Sequence, residues 1–324
     1  MIKASIAGGT GYTAGELLRI LIHHPLVQLE SVVSTTSVGV SLSSIHRDLM
    51  GETDLVFTDA IGNQDVLFLC LGHGLSEKFL SNNHIPASCK VIDLGNDFRL
   101  KPAFQNRSFE YGLCELNKEV IQKAQNIANP GCFATCILLA LLPLAKMNQL
   151  NNEIHIHAIT GSTGAGKRPS DTSHFSYRDS NLSVYKAFNH QHLDEIKQSL
   201  SLRGAQVVPE IQFVPMRGDF TRGIFASVYT KWNDSQSEQE VIDYYKAFYK
   251  ASPFVFVSDQ DISLKEVVNT NKGLLHIAFH NGYIHITSII DNLLKGASGQ
   301  AVQNMNLMFG FAESEGLKLK GSAF

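Results

Sequence analysis

Apolar positions along this chain follow two rhythms, and the rhythm changes near the middle. The first half has short unbroken apolar runs that end in glycine or small polar residues: IKASIA (2–7), LESVVS (29–34), DVLFLCLG (65–72) and KVIDLG (90–95). Runs without alternation predict strands buried on both faces, as in a parallel sheet. Between the first two, Leu17, Leu18, Leu21 and Ile22 recur on one helical face. The run ILLALLPL (137–144) is apolar all round and predicts a buried helix.

Beyond it, EIHIHAITG (153–161) alternates strictly. Ile154, Ile156 and Ala158 fall on one side and His155 and His157 on the other, which predicts a half-buried antiparallel strand with both histidines facing solvent or an interface. Residues 210–232 read as two strands around a turn bearing Arg217 and Arg222, and 238–251 as an amphipathic helix. Residues 276–292 read as a hairpin through Asn281-Gly282, and 292–311 as a helix returning to the first domain.

The turn after the first strand is GGTGYTAG. Gly9-x-Gly11-x-x-Ala14 fits the dinucleotide fingerprint and Gly8-x-x-Gly11-x-x-Ala14 a looser variant, in the strand–turn–helix context that gives such a motif meaning. Glycine there lets the backbone approach a pyrophosphate seated on the helix N-terminus. Gly8, Thr10, Gly11, Tyr12 and Thr13 are therefore candidate cofactor contacts. The second strand ends in Ser34-Thr35-Thr36, with no carboxylate to bind a ribose 2′-hydroxyl. Hydroxyl side chains tolerate a 2′-phosphate, which favours NADP over NAD. Later strands end in Gly72-His73-Gly74 and in Gly95-Asn96-Asp97-Phe98-Arg99. Gly72 is a candidate cofactor contact, His73 a backbone-positioning or catalytic residue, and Arg99 an anion contact or a partner of Asp93 or Asp97.

Cys132, in Asn129-Pro-Gly-Cys-Phe-Ala-Thr-Cys, stands where a glycine turn hands over to a helix. First-turn N–H groups lack intrahelical partners and the helix dipole is positive there, so a thiol at this place is biased toward thiolate. The alternative is a small apolar residue packed at a helix start. Downstream, His190 and His192 precede Glu195, which could orient an imidazole. The two histidines are two residues apart, so on a helix or strand only one readily faces a given point.

GSTGAGK (161–167) resembles a P-loop but is followed by Arg168 and Pro169, which removes the magnesium-binding hydroxyl and the required helix. Its backbone N–H groups, with Lys167 and Arg168, could still hold an anionic substrate.

Composition narrows the class. The chain has 324 residues, enough for about two domains. With 18% charged residues, a net charge of −3 and no basic run, neither nucleic acid nor an anionic membrane is indicated. No apolar stretch approaches a membrane span and no signal peptide opens the chain, which suits a cytoplasmic protein. Five cysteines without framework spacing argue against disulfides, and no second Cys/His pair completes a metal site with Cys132 and Cys136.

Taken together, GGTGYTAGEL, LGHG, IDLGNDFRL, YGLCELN, NPGCFATCILLALLPL, GSTGAGK, HQHLDEI, VPMRGDFTRGI and DNLLKGASGQAVQNMN resemble one family along nearly the whole chain, the N-acetyl-gamma-glutamyl-phosphate reductases of arginine biosynthesis. The resemblance implies an NADP-dependent oxidoreductase with Cys132 as covalent nucleophile and the His190/His192 segment as acid–base group. It implies Asn129, Lys167, Arg99, Arg217 and Arg222 as candidate substrate contacts, Asn292 near the cofactor, no metal, and a homodimer or homotetramer. The expected fold is α/β. A Rossmann-type NADP-binding domain spans 1–131 and 293–324, with the C-terminal helix returning to it. An α+β catalytic and oligomerisation domain with a mixed, largely antiparallel sheet spans 132–292.

The family usually has proline where Gly72, Cys114 and Asp194 stand, and alanine and glycine at Gly9 and Ala14. The pattern around Arg217 also departs, which bears on whether acetyl or a larger acyl such as succinyl is accepted. Aspartate-semialdehyde dehydrogenase shares the chemistry and broad fold. A dinucleotide sensor without chemistry is the non-enzymatic alternative.

Overall fold

The computed structural model describes residues 1–201, 208–232 and 236–322. It forms two compact units, one of Met1–Pro130 with Ala297–Lys318, the other of Gly131–Gly296 with the tail from Leu319. The sequence division at 131/132 and 292/293 is displaced by a few residues. The tail joins the second unit because Ser322 N–H donates to Val268 and the Asn269 amide donates to Lys320.

The first unit runs β1 (Ile2–Ala7), α1 (Tyr12–Leu21), β2 (Val27–Val33), α2 (Leu42–Ile45), β3 (Val66–Leu69), α3 (Ser76–Asn82), β4 (Lys90–Asp93), a two-stranded hairpin β5 (Ala103–Phe104) and β6 (Arg107–Ser108), β7 (Glu110–Tyr111), α4 (Cys114–Lys123) and β8 (Asn126–Ala128). Its sheet has the order β2-β1-β3-β4-β8-β7, and every pairing is parallel. All four residues of β3 are buried, as the unbroken apolar run requires. On one face a cluster forms around Leu67, Leu69, Val91 and the stacked rings of Phe98 and Phe109, whose centres are 3.9 Å apart. Each such side chain contributes about 1.5–3 kcal/mol by burial.

The second unit runs α5 (Cys132–Lys146), β9 (Ile154–Thr160), α6 (Phe175–Arg178), β10 (Ser183–Val184), α7 (His192–Ser201), β11 (Ile211–Arg217), β12 (Ile224–Lys231), α8 (Glu238–Tyr249), β13 (Val255–Ser258), β14 (Gly273–His280) and β15 (Tyr283–Ile290). Its sheet has the order β10-β11-β9-β12-β15-β14-β13. Four of its six pairings are antiparallel, and β11 with β9 and β13 with β14 are parallel. The helix α5 packs on β12, β14 and β15. The Asn281-Gly282 turn has both residues at positive φ (46° and 76°), the conformation a two-residue hairpin of this twist needs.

Three expectations need correction. Strand β9 is antiparallel only toward β12, because β11 lies parallel on its other side. For the same reason β11 and β12 are not a hairpin. The loop between them arches over the end of β9, with Gly218 N–H donating to Thr160 and Gly161 N–H to Gly223. The helix read over 292–311 begins as a π-turn, Leu294–Ser298, and becomes regular α9 only at Gly299–Met308. The cause is the Asp291 carboxylate, which accepts from the Leu293 and Leu294 amides, and the Asp291 carbonyl, which accepts from Gly296. In the first unit α9 packs on α1 and α4, and its buried amides are satisfied there: Asn304 donates to Gly112 and to Asn129 Oδ1, and Asn306 to Glu313 and Glu315 carbonyls.

Candidate active site

In the first unit the glycine turn makes a cradle. Gly8 has φ +84°, and a Cβ there would lie 2.5 Å from the Cys70 carbonyl oxygen, so only glycine lets the turn lie against β3. The buried ring of His46 reaches Gly9 from behind, its Nε2 2.7 Å from the carbonyl oxygen. Gly11 is the N-cap of α1, with no side-chain cap and open space beside it: a Cβ there would meet nothing within 4 Å. The N-cap of α1 thus has room beside it, and no acidic residue stands in the first turn to repel an anion. The residues present fit a dinucleotide pyrophosphate.

Thr13 hydrogen-bonds the Cys70 thiol, whose pKa burial pushes up to about 12, and the Thr13 carbonyl accepts from Ser298. Thr10 is partly buried and Tyr12 exposed at the mouth of the turn. Ser34 is buried and its hydroxyl accepts from the Thr36 amide, while Thr35, Gly72 and His73 are exposed. Arg99 is buried and donates to the carbonyls of Asn129 and Leu94. The Asn129 amide donates in turn to Ala297.

In the second unit Cys132 opens α5, directly after the glycine N-cap Gly131, and is partly exposed. Two features hold it. Gly131 N–H donates to Glu195 Oε1 at 2.7 Å, so a carboxylate with 2% exposure fixes the peptide before the thiol. The π-turn brings Gly296 so close that a Cβ on it would lie 2.8 Å from Cys132 Cβ. Cys136, one turn on, is fully buried, its Sγ 3.2 Å from the Ser288 carbonyl, and burial pushes its pKa up to about 12. It is a core thiol.

The two histidines come together. Their ring centres are 4.8 Å apart, and both stand edge-on to Phe133, at 5.4 Å for His190 and 6.2 Å for His192. The expectation that only one could face a given point does not hold, because the segment is neither strand nor helix before His192. Lys186 and Phe188 adopt positive φ (46° and 61°), and the chain folds back through Phe188 N–H to Phe213 and Asn189 N–H to Lys186. Left-handed non-glycine residues cost about 1–3 kcal/mol each and gather where a site needs an otherwise unavailable turn.

His192 N–H donates to His190 Nδ1 at 3.2 Å, so the neutral His190 ring carries its proton on Nε2. Burial, then the Lys186 charge, lowers the His190 pKa to about 4. Tyr185 stands edge-on to His190 at 5.7 Å. Burial first, and the negative charge of Cys132 second, raise its pKa, which places its ring in the field of the thiol.

The candidate cations divide. Arg222 binds the buried Asp291 carboxylate through Nε (3.0 Å) and Nη2 (3.2 Å). Arg217 lies over the Tyr185 ring, 4.0 Å from its centre. Lys167 and Arg168 are exposed. The backbone cradle expected of the 161–167 loop does not form. The amides of Gly161, Ser162 and Thr163 donate to the carbonyls of Gly223, Phe220 and Thr221, and those of Gly164 and Gly166 to the loop's own Gly161 and Thr163 carbonyls. Asn292 accepts from Gly223 N–H and donates to Thr163, so its amide is a brace for that loop. Tyr185, Arg178 and Gly296 were not singled out from the sequence. Their signals, a tyrosine and an arginine in a polar loop and a glycine within a helical run, are common and gain meaning only from long-range contacts. Among the described residues no group of three or more metal-ligating side chains is present, and no helix is long and apolar enough to cross a membrane.

Comparison with known proteins identifies the family. Residues 3–124 match the family model of the semialdehyde dehydrogenase NAD-binding domain, and residues 132–292 that of the semialdehyde dehydrogenase dimerisation domain. The fold is that of aspartate semialdehyde dehydrogenase II from Vibrio cholerae, solved with ASA, at TM-score 0.72 and 16% identity, covering 96% of this chain and 98% of that one. The Candida albicans enzyme with NADP gives 0.69 and 12%, covering 95% and 98%. In sequence the chain is far more similar to N-acetyl-gamma-glutamyl-phosphate reductases, 56% identical to that of Flavobacterium johnsoniae and 54% to that of Christiangramia forsetii, each over 100% of both chains. The chain is an oxidoreductase with a nicotinamide-dinucleotide-binding domain, and it belongs to the N-acetyl-gamma-glutamyl-phosphate reductase family.

Proposed function

We propose that this chain reduces an N-acyl-L-glutamyl 5-phosphate, with acetyl as the reference acyl group, to the 5-semialdehyde with release of phosphate, a step of arginine biosynthesis, using NADPH. The observation that carries the reading is Cys132 at the first turn of α5, its preceding peptide held by Glu195, with neutral His190 packed on the adjoining Phe133.

The thiolate of Cys132 attacks the acyl-phosphate carbonyl carbon. A C–S bond forms, the C–O bond to phosphate breaks, and phosphate leaves with the electron pair. First-turn amides of α5 stabilise the tetrahedral oxyanion, an effect of about 3 kcal/mol per donor. The nicotinamide, when bound, supplies the hydride that reduces the thioester. His190 Nε2–H hydrogen-bonds the carbonyl oxygen as charge develops on it. It keeps its proton throughout and acts as a donor to that oxygen, so the tetrahedral alkoxide formed by hydride addition collapses directly to the aldehyde and the Cys132 thiolate. A donor placed at a developing oxyanion is worth about 10²–10³-fold. A ring with its pKa near 4 is neutral at pH 7, so it serves as a hydrogen-bond donor and not as an imidazolium acid. His192 shares the Phe133 edge and is the alternative donor.

Gly8, Thr10, Gly11, Tyr12 and Thr13 would hold the pyrophosphate. Ser34 and Thr35 would lie at the ribose, where the absence of a carboxylate among residues 34–37 supports NADP. We also propose a homodimer or homotetramer. The sheet face turned away from α5 carries stacked His155 and Tyr229 rings and the exposed Tyr283, apolar area that a second copy would cover.

The test follows NADPH formation from N-acetylglutamate semialdehyde and phosphate, with aspartate semialdehyde as control. Cys132→Ser is expected to lose on the order of 10⁴–10⁶-fold in rate. Near wild-type turnover by that variant, or a preference for aspartate semialdehyde, overturns the reading.

A further inference from the structure

Two arginines of the second unit stand close together with too little negative charge to balance them. Arg178, the last residue of α6, is 8% exposed, and one of its Nη atoms donates to the Thr160 carbonyl at 3.1 Å. Its Nε is buried and has no hydrogen-bond partner. Arg217 pairs in register with the same Thr160 across β11 and β9, and its guanidinium carbon lies over the Tyr185 ring, 4.0 Å from the centre. Burial, then the charge of Arg217, lowers the Arg178 pKa, which reports the two guanidiniums in each other's field. The groups that oppose this are Tyr185, Tyr177 and the exposed Asp219. One exposed carboxylate and two neutral phenols face two cations, one of them buried with an orphaned donor. A buried donor without an acceptor is unfavourable until one is supplied, and a guanidinium is the side chain best shaped for an oxyanion.

The pair belongs to the neighbourhood of the thiol. Tyr185 lies beneath Arg217, meets His190 edge-on, and feels the charge of Cys132. Arg222 is engaged with Asp291, and the cations that act on Tyr185 are Arg217 and Arg178.

We infer that Arg178 and Arg217 form a fork that binds a carboxylate of the acyl-glutamyl substrate. The inference deepens the proposed function and takes the substrate class from it. Two carboxylates could fill the fork: the α-carboxylate common to every N-acylglutamate, or one at the far end of a dicarboxylic acyl group such as succinyl. In either case the Arg178 Nε–H gains its acceptor, and the fork holds the substrate by an end remote from the carbonyl that Cys132 attacks.

The experiment is calorimetric titration of the full chain with N-acetylglutamate and N-succinylglutamate. It is paired with KM and kcat for the two corresponding semialdehydes in the phosphorylating direction. Arg178→Met is expected to weaken binding and raise KM by about 10- to 100-fold for at least one acyl series, with kcat changed only a few-fold. Arg178→Lys is expected to recover little, since an ammonium lacks the fork. Equal losses in both series assign the α-carboxylate, and a loss confined to the succinyl series assigns the acyl end. Wild-type protein that binds neither ligand, or an Arg178→Met chain that binds both within twofold of wild type, overturns the fork. If Arg178→Met melts early, Arg217→Met takes its place under the same criterion. The titration needs no turnover, so an inactive wild type would sink the proposed reaction while leaving the fork measurable.

Discussion

Helix α1 in the first unit and helix α5 in the second begin alike. Each has a glycine N-cap in extended conformation (φ −79° at Gly11, −70° at Gly131), no side-chain cap and no acidic residue in the first turn. They differ in what fills the positive end. At Gly11 the space is open, and the turn is pressed onto the sheet from behind through Gly8 and His46. At Gly131 a protein carboxylate takes the N-cap amide and a thiol occupies the first helical position. In the proposed function one helix start takes a diffusible anion and the other presents a covalent nucleophile. A glycine motif is therefore read by what stands in front of the helix.

The largest effects should come from glycines that make close approaches, one in each unit. Gly8→Ala strains a left-handed backbone and drives a Cβ onto the Cys70 carbonyl, so the first unit should lose about 2–3 kcal/mol. Gly11→Ala meets nothing, so stability should change by under about 1 kcal/mol. The KM for the dinucleotide should still rise on the order of tenfold, because the methyl takes ligand space. Gly296→Ala pushes on Cys132 Cβ and should cost about 10²-fold in kcat, with dinucleotide affinity unchanged. Thermal melts and steady-state kinetics on the three variants check the contrast. Equal melting points for Gly8→Ala and Gly11→Ala, or lost cofactor affinity in Gly296→Ala, would break it.

A second contrast is in pH, and the signs are opposite. Asp93, at the end of β4, is buried with Oδ2 unpartnered, and burial raises its pKa from 3.8 to about 6. The folded first unit therefore favours the protonated carboxyl. Its contribution is fully present below about pH 4 and is lost as pH rises through 6. His190 is lowered from 6.5 to about 4, so its contribution to the second unit is present above pH 6.5 and is lost as pH falls through 4. Each effect is at most on the order of 3 kcal/mol. Hydrogen exchange between pH 4 and 6.5 should show β4 amides losing protection as pH rises while α5 amides gain it. Asp93→Asn and His190→Asn should each flatten only the slope of its own unit. Slopes of the same sign in both would refute the assignment.

Much of this was legible in the sequence where the determinants are local. The β1–turn–α1 unit, the Cys132 helix start and the Asn281-Gly282 hairpin each depend on residues within one short window, and periodicity plus turn chemistry is enough there. What was not legible depends on distant partners. The π-turn at 294–298 follows from the Asp291 carboxylate, itself held by Arg222 from the loop between β11 and β12. The convergence of His190 and His192 needs two left-handed residues that no glycine announces. Arg178 reads as a surface charge in a polar stretch, and only packing against the end of β9 buries it. Lys167 reads as part of an anion loop if the amides beside it are available, whereas residues 220–223 engage those of Gly161, Ser162 and Thr163 and the loop's own carbonyls engage those of Gly164 and Gly166.

The alkylation shift expected of a charge-only change at Glu195 is small, and it tests the feature that most separates the two helix starts. The Glu195 carboxylate accepts the Gly131 N–H and has almost no contact with solvent. It does two opposed things to Cys132. It fixes the peptide from which Cys132 projects, and it brings negative charge toward a thiol that the proposed reaction requires as thiolate. Glu195→Ala removes both effects. The Gly131 N–H is left buried without its acceptor, which should cost about 1–3 kcal/mol of stability and loosen the thiol. Glu195→Gln keeps an amide oxygen to accept the bond and removes only the charge. Thiolate is then easier to form, so the pH profile of Cys132 alkylation by iodoacetamide should move to lower pH by about one unit or less. Stability in the glutamine variant should stay near wild type. If the alkylation profile of Glu195→Gln superimposes on wild type, the charge does not reach the thiol. If Glu195→Ala is as stable as wild type, the Gly131 bond is not what holds the helix start, and α5 would depend on nothing more than α1 does.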